Sequence, residues 1–213
     1  NKVAYYNTRA ILTNGDAQLS SLRGSYDVNA HYANMKDSVF VVREDFNLIA
    51  DTLSFDTEQR IAHFEGPTVM ATAKSRVYCE DGFYNLADTT GQFRQNAQVA
   101  RGTQRAMADT IFYYGKEDRF VLSGKARFAD GTQRAEGDQI EYLEKLNQTT
   151  LTGDATFVDG KQQVSGERIT YNGETQVFNS SGRIFISEPP FLLNADSVWY
   201  DEFTGIAQIK GNV

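Results

Sequence analysis

Cysteine, histidine, proline and tryptophan are all scarce in this chain. A single cysteine, Cys79, in 213 residues excludes an internal disulfide and a thiolate metal cluster. The two histidines, His31 and His63, have no Ser or Cys in a nucleophile setting beside them and read as surface residues. Acids outnumber bases 28 to 21, a net charge of −7 that argues against a nucleic-acid surface. No apolar run approaches the ~20 residues of a membrane helix. No secretory leader is visible, and the last residues, Ile209-Lys210-Gly211-Asn212-Val213, stop partway through a recurring pattern, so continuation of the chain is expected. What is plentiful is glycine (17), phenylalanine (14) and tyrosine (11), with frequent Val and Thr, a composition suited to strands and turns.

The pattern is a 29-residue repeat. Tyr26, Phe55, Tyr84, Tyr113, Tyr142, Tyr171 and Tyr200 follow one another at that step. With aromatics at 12% of positions, chance in one fixed register is roughly one in a few million, so the period is real. Gly66, Gly124, Gly153, Gly182 and Gly211 keep the same step, with Gln95 as an exception. Asp51, Glu80, Asp109, Asp138, Glu167 and Asp196 form an acidic column, each preceded by a small residue: Ala50, Cys79, Ala108, Gly137, Gly166 and Ala195. Cys79 therefore reads as a buried space-filler. Without a linker or composition shift, residues 1–213 read as a single repeat domain with residues 1–23 as an atypical cap.

Each repeat predicts two strands. Phe120, Leu122, Gly124, Ala126 and Phe128 alternate with polar residues, the period of a strand with one apolar face. In the neighbouring strand Ala106 and Ala108 have one parity and Ile111 and Tyr113 the other, which predicts a bulge at the small-acid pair. Folding the hairpin about Lys116 sets Gly124 opposite Ala108. Folding the Asp130-Gly131-Thr132 turn about Gly131 sets Gly124 opposite Asp138. The bends then line up into a crease, and the expected fold is all-β: an antiparallel meander folded into an open, V-shaped β-jellyroll trough. Glu188-Pro189-Pro190 predicts a longer loop, a possible partner site, in place of an Asp-Gly hairpin. The acids recur every second strand, ~10 Å apart, too far for shared coordination, so they are expected to accept backbone N–H groups at the bend. No catalytic residue, metal site or cofactor is expected. Trp199 takes the outward parity.

The inner faces are predicted to carry Leu53, Phe55, Phe64, Met70, Phe93, Val99, Ile111, Tyr113, Phe120, Leu122, Phe128, Ile140, Tyr142, Leu151, Phe157, Ile169, Tyr171, Ile184, Ile186, Val198 and Tyr200. Alternation alone leaves three readings open: a groove for a long apolar ligand, a fully packed interior serving an interaction scaffold, or a carbohydrate-binding solenoid with parallel strands.

The copies Ala108-Asp109-x-Ile111-x-Tyr113 with Leu122-x-Gly124-x-Ala126-x-Phe128, and Gly137-Asp138-x-Ile140-x-Tyr142 with Leu151-x-Gly153-x-Ala155-x-Phe157, resemble the repeats of the OstA/LptA group of lipopolysaccharide-transport proteins. The resemblance covers roughly residues 24 to 213. Gly82 for Ile, Gln95 for Gly and Ser180 for Leu depart from it. It implies a periplasmic β-jellyroll in a Gram-negative cell, standing alone or ahead of an outer-membrane barrel. It implies a non-enzymatic lipid carrier whose apolar inner residues, those above without Leu53, Met70 and Val99, hold lipid A acyl chains of lipopolysaccharide. The expected partners are lipopolysaccharide and either other transport proteins or further copies, paired through open edge strands.

Overall fold

A computed structural model describes residues 2–14, 17–44 and 46–211; Asn212 and Val213, where continuation of the repeat is expected, lie outside them. The fold is all-β, with one 3-10 turn at Glu144–Leu146 among the described residues. The chain forms two compact units, Asn1–Gly102 and Thr103–Val213.

The first unit holds β1 (Val3–Tyr6), β2 (Ala10–Asn14), β3 (Ala17–Ser21), β4 (Arg23–Asp27), β5 (Tyr32–Val42), β6 (Asn47–Asp56), β7 (Ile61–Ala71), β8 (Arg76–Asn85) and β9 (Thr90–Arg101). From β5 to β9 each strand pairs antiparallel with the next. The first residues form shorter strands than the repeats that follow. β4 covers the first half of β5 and β3 the second, so the two act as one bent strand, with β1 and β2 paired outside them.

The second unit is an antiparallel meander of β10 (Gln104–Tyr114), β11 (Arg119–Asp130), β12 (Gln133–Leu143), β13 (Gln148–Asp159), β14 (Gln162–Asn172), β15 (Val177–Glu188), β16 (Phe191–Asp201) and β17 (Ile206–Lys210). Neighbours in sequence are neighbours in the sheet, ending with β17 paired to β16. Every pairing among the described residues is antiparallel, which removes the parallel solenoid.

The crease is present. Pairing shifts by a residue near the middle of every long pair, for example at Met107/Thr110, Ser123/Ala126 and Glu136/Gln139. Beyond the shift the same sheet face continues inward: Ile111 and Leu122 on one limb and Ala126 and Ala155 on the other are all buried. In a unit made of one sheet, that face is covered by folding the sheet over on itself. Glycine is required at the fold. Gly124 has φ +78°, and a Cβ there would stand 2.6 Å from Asp109 Oδ2. Gly124 thus faces Asp109, not Ala108, because the loop is Gly115–Asp118 and closes at Tyr114 and Arg119, centred past Lys116.

Other expectations change in the same way. The acidic column is exposed apart from half-buried Glu80, and Glu80, Asp109 and Glu167 meet side chains across the bend. Asn96 donates to Glu80 Oε1 at 2.8 Å, Lys125 Nζ lies 3.9 Å from Asp109, and Arg183 Nε lies 4.0 Å from Glu167. At Glu188-Pro189-Pro190 there is no long loop: Glu188 pairs with Phe191 around a two-residue turn with a cis Pro189–Pro190 peptide.

The departures from the repeat are offset by swaps of volume. Ser180 stands where Phe93, Leu122 and Leu151 stand, and four residues on, Ile184 stands where Ala97, Ala126 and Ala155 stand. Both are buried, so β15 carries its bulk on the opposite side of the bend. Ser180→Leu is expected to cost about 1–3 kcal/mol by overpacking. Adding Ile184→Ala is expected to recover at least half of that, a coupling readable from urea unfolding of the two single variants and the double variant. Additive losses would show that the two positions do not share space.

Candidate functional site

The inner face consists of four rows running across the strands. In the second unit the row beside the bend is Ile111, Leu122, Ile140, Leu151, Ile169, Ser180 and Val198, each paired with the next. All are buried. Across the bend the facing row is small: Ala108, Ala126, Gly137, Ala155 and Gly166, then Ile184 and Ala195. Branched side chains on one limb stand across the bend from small residues on the other, and Ala108, Ala126, Ala155, Ile184 and Ala195 are buried with them, the pattern of a packed floor. The small column of the sequence is there to admit the large one.

Farther from the bend the walls are half-buried. One rim is Tyr113, Phe120, Tyr142, Thr149, Tyr171, Phe178 and Tyr200, paired in that order. The other carries Ala106, Phe128, Ala135, Phe157, Val164, Ile186 and Leu193. Within this rim Phe128, Phe157 and Ile186 are half-buried. Tyr113 packs against Phe120 with ring centroids 4.8 Å apart. Burial pushes the Tyr113 hydroxyl above its ordinary range, with the nearby charges of Asp118 and Glu144 adding to it. Tyr171 is raised first by burial and then by Glu202, whose carboxylate its hydroxyl meets at 3.3 Å. Tyr113 and Tyr171 are therefore neutral at ordinary pH and can take part in an apolar lining.

In the first unit the bend row is Met35, Leu53, Phe64, Gly82 and Phe93. Phe64 and Phe93 stack at 6.0 Å across Gly82. Phe55 and Tyr84 form the half-buried rim, interrupted by Ala33, Ala62 and Gly91. Met70 and Val99 line the other limb beside the buried Val77.

The structure thus divides the eighteen predicted lining positions into two sets. Phe64, Phe93, Ile111, Leu122, Ile140, Leu151, Ile169, Ile184 and Val198 form filled floor. Phe55, Tyr113, Phe120, Phe128, Tyr142, Phe157, Tyr171, Ile186 and Tyr200 keep accessible surface. Phe178 joins the rim although the sequence reading passed over it; it lies two steps of 29 beyond Phe120. A second column was also missed. Asp27, Asp56, Asn85, Asn172 and Asp201 follow the aromatic column directly, and each side-chain oxygen accepts backbone N–H bonds that close the next turn.

The groups with reactive side chains stand apart from the rims. Cys79 is buried, and burial pushes its thiol up to about 12, so it is a packing residue. His31 and His63 are exposed.

The comparisons agree with this geometry. The family model described as "LptA/(LptD N-terminal domain) LPS transport protein" matches residues 18–148 and 129–177. None of the curated proteins matches. Among solved structures, LptH from Pseudomonas aeruginosa is described as the LptA-homologous periplasmic component of the conserved lipopolysaccharide transport device. It aligns with a TM-score of 0.51 at 18% identity, over 55% of this chain and 95% of its own. That likeness supports the β-jellyroll fold, and the family model spans most of the chain: this protein belongs to the family of LptA and LptD N-terminal-domain lipopolysaccharide-transport proteins.

Proposed function

We propose that the chain, a member of a lipopolysaccharide-transport family, carries lipid A acyl chains between its two half-buried rims and catalyses no reaction. The observation that carries this reading is the division of the inner face. A filled floor holds the limbs in place, while Tyr113, Phe120, Tyr142 and Tyr171 on one rim and Phe128, Phe157 and Ile186 on the other offer apolar surface. Burying hydrocarbon gains ~0.8 kcal/mol per CH₂, on the order of 10 kcal/mol for a chain of a dozen carbons. Half-open walls capture only part of that, and similar rims on successive strands keep each step of transfer shallow. The reading places the protein in the periplasm, with attachment to the outer membrane through flanking sequence as its further part. It assigns an open strand edge to pairing with another transport protein or a second copy.

A second reading, an envelope scaffold with a packed interior, draws on the floor, which is fully buried. Photo-crosslinking separates the two. Benzoylphenylalanine at Tyr113 or Phe128 is expected to capture lipopolysaccharide, while the same group at Lys125 or Arg127, both exposed, is not. Equal capture at the two sets removes the carrier reading, and no capture at any position leaves the scaffold.

A further inference from the structure

The carrier reading uses the inner face alone. On the outer face of the second unit is a cleft of about 330 Å³, at the small end of the range for ligand sites. Two cross-strand rows build it. One is Arg168, Ser181, Ser197 and Lys210; the other is Thr170, Asn179, Trp199 and Gln208. Ser180 and Val198, which alternate with these rows and are buried on the inner face, complete the lining, and Ile169 beside them is buried too, so the two rows face away from the rims.

Three features set this patch apart. No acid is among its ten lining residues, although the chain has 28 acids and a net charge of −7. The only tryptophan of the chain sits half-buried in the middle of its row, where the repeat elsewhere places Phe83, Phe112, Glu141 and Thr170. Its polar groups are also uncommitted. Among the described residues Arg168 and Lys210 have no ion-pair partner, and the side chains of Asn179, Ser181, Ser197 and Gln208 have no hydrogen-bond partner.

An indole face among hydroxyls and amides suits a sugar ring, whose C–H face is apolar and whose rim is polar. The two cations end a row three strand spacings wide, ~14 Å, the reach of two sugar rings with charged substituents. We infer that this cleft binds an anionic saccharide about two rings long, stacked on Trp199 with its charges toward Arg168 and Lys210. The charge can come from phosphate or from carboxylate; both are acceptors for these cations.

The single Trp gives one indole N–H resonance, which reports on the cleft directly. A deacylated phosphorylated glucosamine disaccharide, digalacturonate and cellobiose are titrated into the ¹⁵N-labelled chain. At least one anionic sugar is expected to shift this resonance with half-saturation below about 1 mM, and cellobiose to bind roughly tenfold more weakly or worse. Response to the first sugar alone assigns phosphate, and to the second alone carboxylate. The double variant Arg168→Gln, Lys210→Gln keeps the indole reporter and its native position, and is expected to lose the preference for charge. An unmoved indole, equal response to cellobiose, or an unchanged double variant overturns the inference. Lipopolysaccharide capture at Tyr113 is expected to be unchanged in that variant, so failure here and failure of the carrier reading are separable.

Discussion

Phe64→Ala is expected to destabilise the first unit by about 3–5 kcal/mol, the range for removing a fully buried aromatic ring from a packed core. Phe64 is 1% exposed and stacks on Phe93 across a strand that supplies no side chain between them, only Gly82. In the other repeats that position is Leu53, Ile111, Ile140, Ile169 or Val198, so the two rings occupy space an aliphatic residue fills elsewhere. The swap runs in one direction. A Cβ added at Gly82 would stand 2.6 Å from Phe64 Cε2, so Gly82→Ala is costly as well. Phe64→Leu keeps most of the volume and is expected to cost less than half as much. Urea unfolding of the three variants checks this. A loss under about 1 kcal/mol for Phe64→Ala would mean that the bend row is not close-packed there.

The architecture was readable because its periods are written in side-chain chemistry. Aromatics at a step of 29, glycines at the same step and a parity change at the small-acid pair are each a physical requirement of a bent antiparallel pair. They identified the crease and the inward face of each strand. Register was less readable. The Gly115–Asp118 loop is centred half a residue beyond Lys116, and that moved Gly124 from Ala108 to Asp109. The partners of Asp109 and Glu167 were not readable because a carboxylate beside a bend can bond backbone or face a cation. Only the next strand decides, and it supplies Lys125 and Arg183. Depth was the largest omission. Alternation marks Ile111 and Tyr113 alike as inward, but not that one lies in the floor and the other on the rim. That distinction depends on distance from the bend and on the Ala and Gly residues of the facing limb. Ser180 and Gly82 break the repeat in the sequence and fit it in space, because Ile184 and the Phe64–Phe93 pair supply the missing volume.

Gly124→Val is expected to cost about 3–4 kcal/mol and to abolish lipopolysaccharide capture at both Tyr113 and Phe128, since the two limbs no longer face each other. Two causes add. A β-branched residue at φ +78° is held in a left-handed conformation that costs on the order of 1–3 kcal/mol. Its Cβ also meets the Asp109 side chain, with Oδ2 at 2.6 Å and Cβ at 3.0 Å. The causes separate experimentally. Gly131 has φ +56° in an exposed hairpin with nothing within 4 Å of an added Cβ, so Gly131→Val reports conformational strain alone. Asp109→Ala added to Gly124→Val removes much of the collision and leaves the strain, so it is expected to recover about 1 kcal/mol. The bend is what brings the rims within reach of one chain of hydrocarbon, so stability and capture fall together at Gly124 and only stability falls at Gly131. Equal losses at the two glycines, or full capture in a folded Gly124→Val protein, would show that the crease does not hold the groove together.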